Sequence, residues 1–421
     1  MMGSSNYSRL PYWAGLLLPW PFFTISFGVD FTWYKLMPVV IVLISLVKKG
    51  SIQINRRLFS ANLLLSTYLI LAAIVNCLIL LYFSKTIDLN NITFGVNYWL
   101  QNGVVQLIYA ISISIQIMFM PKIAMKTGIV DRVFNGYIHG CIISVAVGLV
   151  LLVLFGETRM TGLAVEPRHF SAVLVPAIFL ILVNSADRLF RISYSRYKLA
   201  ILFFGLLASL SSSSLLACFI GLIVFFVFGS ITLGRKVFFV VSILIAVFLL
   251  SSIPFVQEFF GARNQGRLIS LDLILYFVPK DALAIYFFAE NWLYLIFGVG
   301  PGAITLHTMQ PEFLYSLSNP YLLKTKILSG VLEGQLDAVL APSSFIISYV
   351  ANFGVLGLLF FVFLVKVMIK GITNSGLRES VALFALMVFC ACAVLSTIGG
   401  TVSIFFLAIF YAEAKAREQK L

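Results

Sequence analysis

Four arginines carry the chemistry that this sequence puts forward. Arg159 and Arg168 lie in the polar run Gly156-Glu-Thr-Arg-Met-Thr-Gly-Leu-Ala-Val-Glu-Pro-Arg-His169, which has an apolar segment on each side. Arg263 and Arg267 lie in Gly261-Ala-Arg-Asn-Gln-Gly-Arg267. A guanidinium is permanently charged and planar, and it grips phosphate through two parallel hydrogen bonds. Ionisable groups held against a membrane are costly and commonly serve a charged ligand. The two pairs therefore suit a phosphate-bearing ligand. They also suit an ordinary polar turn whose arginines snorkel to headgroups or pair with nearby acids.

Acid–base candidates are few. His169 ends the polar run and His307 follows a glycine-rich turn, and either could serve as a general base. His139 falls inside an apolar segment, where a buried, hydrogen-bonded histidine is expected. On the arginine-bearing side the carboxylates include Glu157, Glu166, Glu258, Asp272, Asp281, Glu290, Glu312, Glu333 and Asp337. No two of them form a DxD-like cluster able to hold a divalent cation on a diphosphate. Arginines rather than a metal would then stabilise a phosphate leaving group. Gly298-Val-Gly-Pro-Gly302 follows an apolar stretch and opens no phosphate-binding strand–helix motif, so a tight turn is expected there.

The elements that must position these groups are membrane helices. The chain has 421 residues, 61% hydrophobic and 11% charged, against roughly a quarter charged in soluble domains. Apolar segments fall at about 12–28, 33–47, 60–83, 98–120, 133–155, 170–186, 199–211, 214–229, 237–253, 344–365, 380–395 and 399–413. No alternation typical of a transmembrane barrel appears, and no small-residue cleavage site follows the first run. Cys77, Cys141, Cys218, Cys390 and Cys392 all lie in apolar runs, which points to buried packing rather than disulfides or metal.

Charge sets the expected topology. Loops after the even-numbered segments and the two termini hold 20 of the 29 Lys+Arg but 5 of the 16 acids, a net +15. The other side then carries 9 basic and 11 acidic residues, a net −2. Twelve crossings with both termini cytoplasmic satisfy the positive-inside rule. The net charge of +13 is thus a topology signal, and nucleic acid is not a partner.

Three regions follow: an N-terminal bundle of about nine helices over 1–253, a large outer loop over 254–343, and C-terminal helices with a tail over 344–421. Within the loop, 268–278 and 282–297 are apolar but interrupted by Pro279, Lys280, Asp281 and Glu290, and read as interfacial or re-entrant helices. The stretch 321–341 reads as an amphipathic helix. A structured loop of this length is usually functional. No internal repeat is visible, which weighs against many transporter folds.

Several of these pieces occur in a familiar order. Arg159-Met-Thr-Gly-Leu-Ala-Val-Glu-Pro resembles the Arg-x-Thr-Gly loop of bacterial O-antigen polymerases and O-antigen ligases. Gly266-Arg-Leu-Ile-Ser-Leu is similar to the second arginine of that family, and Phe297-Gly-Val-Gly-Pro-Gly302 to its glycine turn. Ser344-Phe-Ile-Ile-Ser-Tyr-Val-Ala-Asn-Phe-Gly-Val-Leu-Gly-Leu358 resembles the helix that returns to the membrane after the loop. The likeness runs from about 150 to 365. Ligases carry a His-Asn pair before that helix, where this chain has Pro342 and Ser343. Ser211-Ser-Ser-Ser214 also departs from the Ser-Arg of relatives, and Glu166-Pro-Arg-His169 looks more like the polymerase variant.

The resemblance implies an all-α polytopic integral membrane protein of about twelve helices with a large, partly helical periplasmic loop, similar to C-type glycosyltransferases. It implies a metal-independent polysaccharide polymerase in the bacterial inner membrane, with no cofactor. Donor and acceptor would be undecaprenyl-diphosphate-linked oligosaccharides, with the lipid bilayer, a flippase and a chain-length-regulating membrane protein as partners. Arg159, Arg267, Glu166 and His307 would be catalytic, and Arg168, His169, Arg263 and Gly300 would bind substrate. A ligase acting on lipid A-core and a flippase or transporter for the same glycolipids are the alternatives.

Overall fold

The structure is a computed structural model. It describes residues 10–20, 24–26, 30–32, 130–164, 167–187, 194–228, 279–300, 303–308 and 344–373, with isolated positions in 60–75, 106–115, 234, 342 and 402–411. The described residues are overwhelmingly helical. Three helices are long and apolar enough to cross a membrane, with spans at Asp131–Leu154, Pro167–Asn184 and Phe345–Ile372. The segments 33–47, 237–253 and 380–395, and the stretches 268–278 and 321–341, lie outside the described residues.

In chain order the elements are α1 (Leu10–Leu17), β1 (Thr24–Ser26), β2 (Asp30–Thr32), α2 (Val130–Leu154), α3 (Pro167–Asp187), α4 (Ser195–Ala208), α5 (Ser212–Phe228), α6 (Pro279–Glu290), α7 (Trp292–Phe297), α8 (Ile304–Thr308) and α9 (Phe345–Thr373). The expected first segment, 12–28, is not one helix. Pro19 and Pro21 cannot donate to a helical ladder, and beyond them the chain forms an antiparallel pair, Thr24 opposite Thr32 and Ser26 opposite Asp30.

The α1–α2 contact is unusually close, and glycine makes it so. A Cβ on Gly15 would strike the Val133 carbonyl, and one on Gly136 the Tyr12 carbonyl. Small residues let membrane helices approach backbone to backbone, where lipid offers no hydrophobic drive. On its other side α2 meets the helical residues of 402–411, with Phe134 5.2 Å from Phe406 and 5.3 Å from Phe410 between ring centroids.

Helix α3 runs through the core: Phe170, Leu174, Ile178 and Phe179 are fully buried. Pro176 sits inside it and lacks the N–H that would close its turn. The loosened turn is supported from α2, whose Tyr137 hydroxyl donates to the Val173 carbonyl at 2.6 Å.

The stretch 282–297 resolves into α6 and α7, separated at Asn291, and neither is long enough to span. They brace α9. Asp281, in the first turn of α6 and 1% exposed, accepts a 2.9 Å hydrogen bond from the Ser344 N–H at the start of α9. Helix α9 is itself broken at Gly354, where φ is 71°. The turn after α7 plugs the break: Val299 N–H donates to the Ala351 carbonyl at 2.8 Å. Gly298 and Gly354 are in backbone contact, so any Cβ at Gly354 would enter the Ile296 carbonyl. Both glycines lie in the positive-φ region that L side chains avoid.

Candidate functional site

The polar run does not project away from the bundle. After Phe155 the chain reverses at Gly156 (φ 68°) and lies back along α2. Met160 is fully buried, and the Met160 N–H donates to the Ala208 carbonyl at 3.0 Å. Gly162 (φ 57°) packs against Phe170, Ser144 and Gly148, and the Leu163 N–H donates to Ser144 Oγ at 2.9 Å. Thr161 donates its hydroxyl to Glu157 at 3.0 Å, closing the loop on itself. Threonine and glycine thus shape the loop around a buried methionine, and Arg159 is carried at its inner edge.

Arg159 is half-buried and has defined partners. Its Nε donates to the Ser209 carbonyl at 3.2 Å and a terminal nitrogen donates to the Leu210 carbonyl at 3.0 Å. These carbonyls close α4 at its C-terminal end, where the helix dipole favours a cation. Leu210 adopts φ 50°, a conformation that costs a non-glycine residue roughly 1–2 kcal/mol. The guanidinium clasps that strained turn.

Four buried serines continue the polar surface below the arginine. Ser209 Oγ donates to the Leu206 carbonyl at 2.6 Å and receives the Ser211 N–H at 3.3 Å. Ser211, Ser214 and Ser171 are linked hydroxyl to hydroxyl, at 3.3 Å and 2.7 Å. Ser171 Oγ also lies 3.1 Å from the Arg168 carbonyl. Each hydroxyl has one proton, so a run from Ser211 through Ser214 and Ser171 to the Arg168 carbonyl lets every one of them donate once. The network joins the α4–α5 turn that holds Arg159 to the first turn of α3, which bears Arg168 and His169.

That first turn is an unusual place for cations. Pro167 occupies the first helical position, which suits proline. Arg168 and His169 follow where the helix dipole already presents positive charge. Both are half-buried there. Convergence of a helix N-terminus with arginines is an arrangement that an anion stabilises.

His307 lies elsewhere, in an aromatic pocket with ring centroids 5.1 Å from Phe287 and 5.6 Å from Tyr294. Burial pushes the imidazole down to about 4, so it is neutral near pH 7 and a weak proton acceptor. Gly300 (φ 98°) is buried in the turn that plugs α9. Glu166, Arg263 and Arg267 lie outside the described residues. Among the described residues, no three His, Cys, Asp or Glu side chains gather to hold a metal ion.

His139 is hydrogen-bonded on both nitrogens, to the Tyr12 hydroxyl at 2.9 Å and to Lys198 Nζ at 2.9 Å. Lys198, grouped by sequence with the loop cations, is inside α4 and only 9% exposed. Its partner is about 12 Å into the α2 span at 1.5 Å per residue, and neither contact is legible from spacing. Asp281 stands out in the sequence only as a carboxylate that interrupts an apolar stretch, and Ser171 and Ser209 are not among the residues that type and spacing pick out. A first-turn acid in α6 and a serine-rich turn were the available signals.

No protein-family model matches the chain, and no curated protein matches it.

Proposed function

We propose that this protein is a surface-polysaccharide polymerase of the O-antigen type, acting at the periplasmic face of a bacterial inner membrane. It would move a growing glycan from undecaprenyl diphosphate to a sugar hydroxyl of another lipid-linked repeat. The observation that carries this reading is the half-buried Arg159, held by the Ser209 and Leu210 carbonyls beside the first turn of α3. The acceptor hydroxyl attacks the anomeric carbon as the bond to diphosphate breaks. Charge grows on the diphosphate, and guanidinium groups fixed in advance stabilise it without reorganising. Arg159 and Arg267 are assigned that role, with Arg168, His169 and Arg263 binding the phosphates. Glu166 is the first choice of base, because the neutral His307 is packed among rings and weakly basic.

The test is elongation of undecaprenyl-diphosphate-linked repeats by the purified protein in detergent. A ladder of longer lipid-linked glycans, formed in excess chelator, is the expected result. A well-folded preparation that elongates nothing refutes the polymerase.

One observation favours a second reading. His139, which pairs with Lys198, lies within the α2 span, where ionisable groups mark proton or substrate pathways. Translocation of the glycolipid across vesicles without elongation, lost in His139→Leu, would support a transporter instead.

A further inference from the structure

Side chains from three helices meet at His139. The Tyr12 hydroxyl of α1 lies 2.9 Å from its Nδ1, and the Lys198 Nζ of α4 lies 2.9 Å from its Nε2. His139 is within the α2 span, and Lys198 is only 9% exposed. Lipid cannot satisfy polar groups, so those inside a span must find partners in the protein. The helices are set close for this. A Cβ on Gly136 would strike the Tyr12 carbonyl and one on Gly140 the Leu16 carbonyl, and the Trp20 indole donates to the Gly140 carbonyl at 3.2 Å.

The donors and acceptors fix where the protons go. With Lys198 as the neutral amine, the Tyr12 hydroxyl donates to Nδ1 and the Nε2–H donates to Nζ. That arrangement leaves no ring or hydroxyl proton without an acceptor. With Lys198 as the ammonium, Nζ can only donate, so Nε2 accepts and the imidazole proton sits on Nδ1, donating to the Tyr12 oxygen. Lysine is by nature the stronger base of the pair, so the charge belongs on Nζ. The two arrangements keep both contacts and differ by one proton.

We infer that Tyr12, His139 and Lys198 form a proton-binding relay, in which uptake of one proton reverses both hydrogen bonds without moving a heavy atom. A hydronium proton bonds to the Tyr12 oxygen as the tyrosine's own proton passes to Nδ1. The Nε2 proton passes to the Nζ lone pair, and the charge comes to rest on Lys198. Tyr12 is the entry because it is half-buried, whereas Lys198 is enclosed.

Other titratable groups on the packed elements are engaged or placed elsewhere. Helix α1 carries none besides Tyr12. On α2, Tyr137 and Cys141 turn to the Val173 carbonyl, and Asp131 and Arg132 lie about two turns nearer its start. On α4, Tyr194, Arg196 and Tyr197 are exposed. Helix α3 has Arg168 and His169 in its first turn and Asp187 at its last residue. On the helical residues of 402–411, Tyr411 packs on Gly371 of α9. The relay depends on neither reading of function, since it follows from these donors and acceptors alone.

Nitrogen NMR of the full chain tests it, with histidine and lysine labelled with nitrogen-15 in phosphatidylethanolamine–phosphatidylglycerol vesicles. The His139 signals are those absent in His139→Gln, or those that remain when His169→Gln and His307→Phe remove the others. As pH is lowered from 10, Lys198 should change from amine to ammonium in one step. In the same step the His139 proton should shift from Nε2 to Nδ1, with no imidazolium. A tautomer that stays the same while Lys198 ionises would overturn the relay, and so would an imidazolium formed in that step. Lys198→Met should lose the tautomer shift, and a shift retained there would place the proton elsewhere. The unsubstituted protein carries the main test, so a variant that fails to fold does not remove it. A chain that neither elongates nor translocates glycolipid, yet shows the shift, would fail those readings alone.

Discussion

The Tyr68 hydroxyl donates to the Phe353 carbonyl at 2.8 Å, across 285 residues of sequence, and the edge of its ring packs against Gly357. These two groups stand on opposite sides of the Gly354 break in α9. A broken helix inside a bilayer leaves amide groups that lipid cannot satisfy. Tyr68 serves the break from one side and the Val299 N–H from the other.

Tyr68→Phe should therefore lower thermal stability in detergent by about 0.5–1.5 kcal/mol, the net worth of a typical hydrogen bond. Gly354→Ala should cost more, because it adds strain at φ 71° and a clash with the Ile296 carbonyl. Thermal unfolding of the purified variants reads both. Equal stability of Gly354→Ala and the parent would mean that the break is not in the folded protein.

Asp281 and Ser344 are joined in a similar way, since the buried carboxylate holds the N–H that opens α9. Asp281→Ala leaves a buried donor without its partner, at a cost of about 1–3 kcal/mol. Asp281→Asn keeps an acceptor and should recover part of the loss. Thermal midpoints of the pair decide it, and the Asn variant falling below Ala would count against a hydrogen-bonding role.

The long apolar elements were legible because a span needs a sustained apolar run: α2, α3 and α5 lie within three residues of the expected bounds. The glycine-rich run was also legible as a turn, with Gly298 and Gly300 at positive φ. Sequence could not show that α1 ends at Leu17, because the residues around Pro19 remain apolar. It could not show that Lys198 turns inward to His139, since a basic residue just before an apolar run usually belongs to the loop. The Arg159 contacts connect residues fifty positions apart, through backbone carbonyls whose side chains say nothing about them. Side-chain type can nominate an arginine for phosphate, but only the fold shows what already occupies its donors.

His307 makes stability depend on pH. Burial holds it at about 4 in the folded protein, below the roughly 6.5 of an exposed imidazole. Between these values the unfolded chain binds the extra proton, so stability rises with pH in that window. The contribution is complete above about 6.5 and is lost as pH falls toward 4. Chemical denaturation from pH 4 to 7 should show this slope, and His307→Phe, which keeps the aromatic packing, should flatten it. An unchanged slope in the variant would place the titrating group elsewhere.

Arg159 has two separable roles, and the separation tests the site. As a clasp on the α4–α5 turn it donates to two carbonyls, so Arg159→Ala should destabilise the fold by about 1–3 kcal/mol. As a stabiliser of the leaving diphosphate it should also set the rate, with Ala lowering turnover by about 10² or more. Arg159→Lys keeps the charge but loses the planar fork, and should be impaired in both respects. Arg196→Ala, at the opposite end of α4, should change neither turnover nor polymer length. If Arg159 and Arg267 serve one transition state, the double alanine variant should be little worse than the poorer single. The measurement is polymer formed per unit of membrane-inserted protein, with thermal stability followed in parallel. A variant that is less stable yet fully active per folded molecule would leave Arg159 as a helix clasp and remove it from the chemistry.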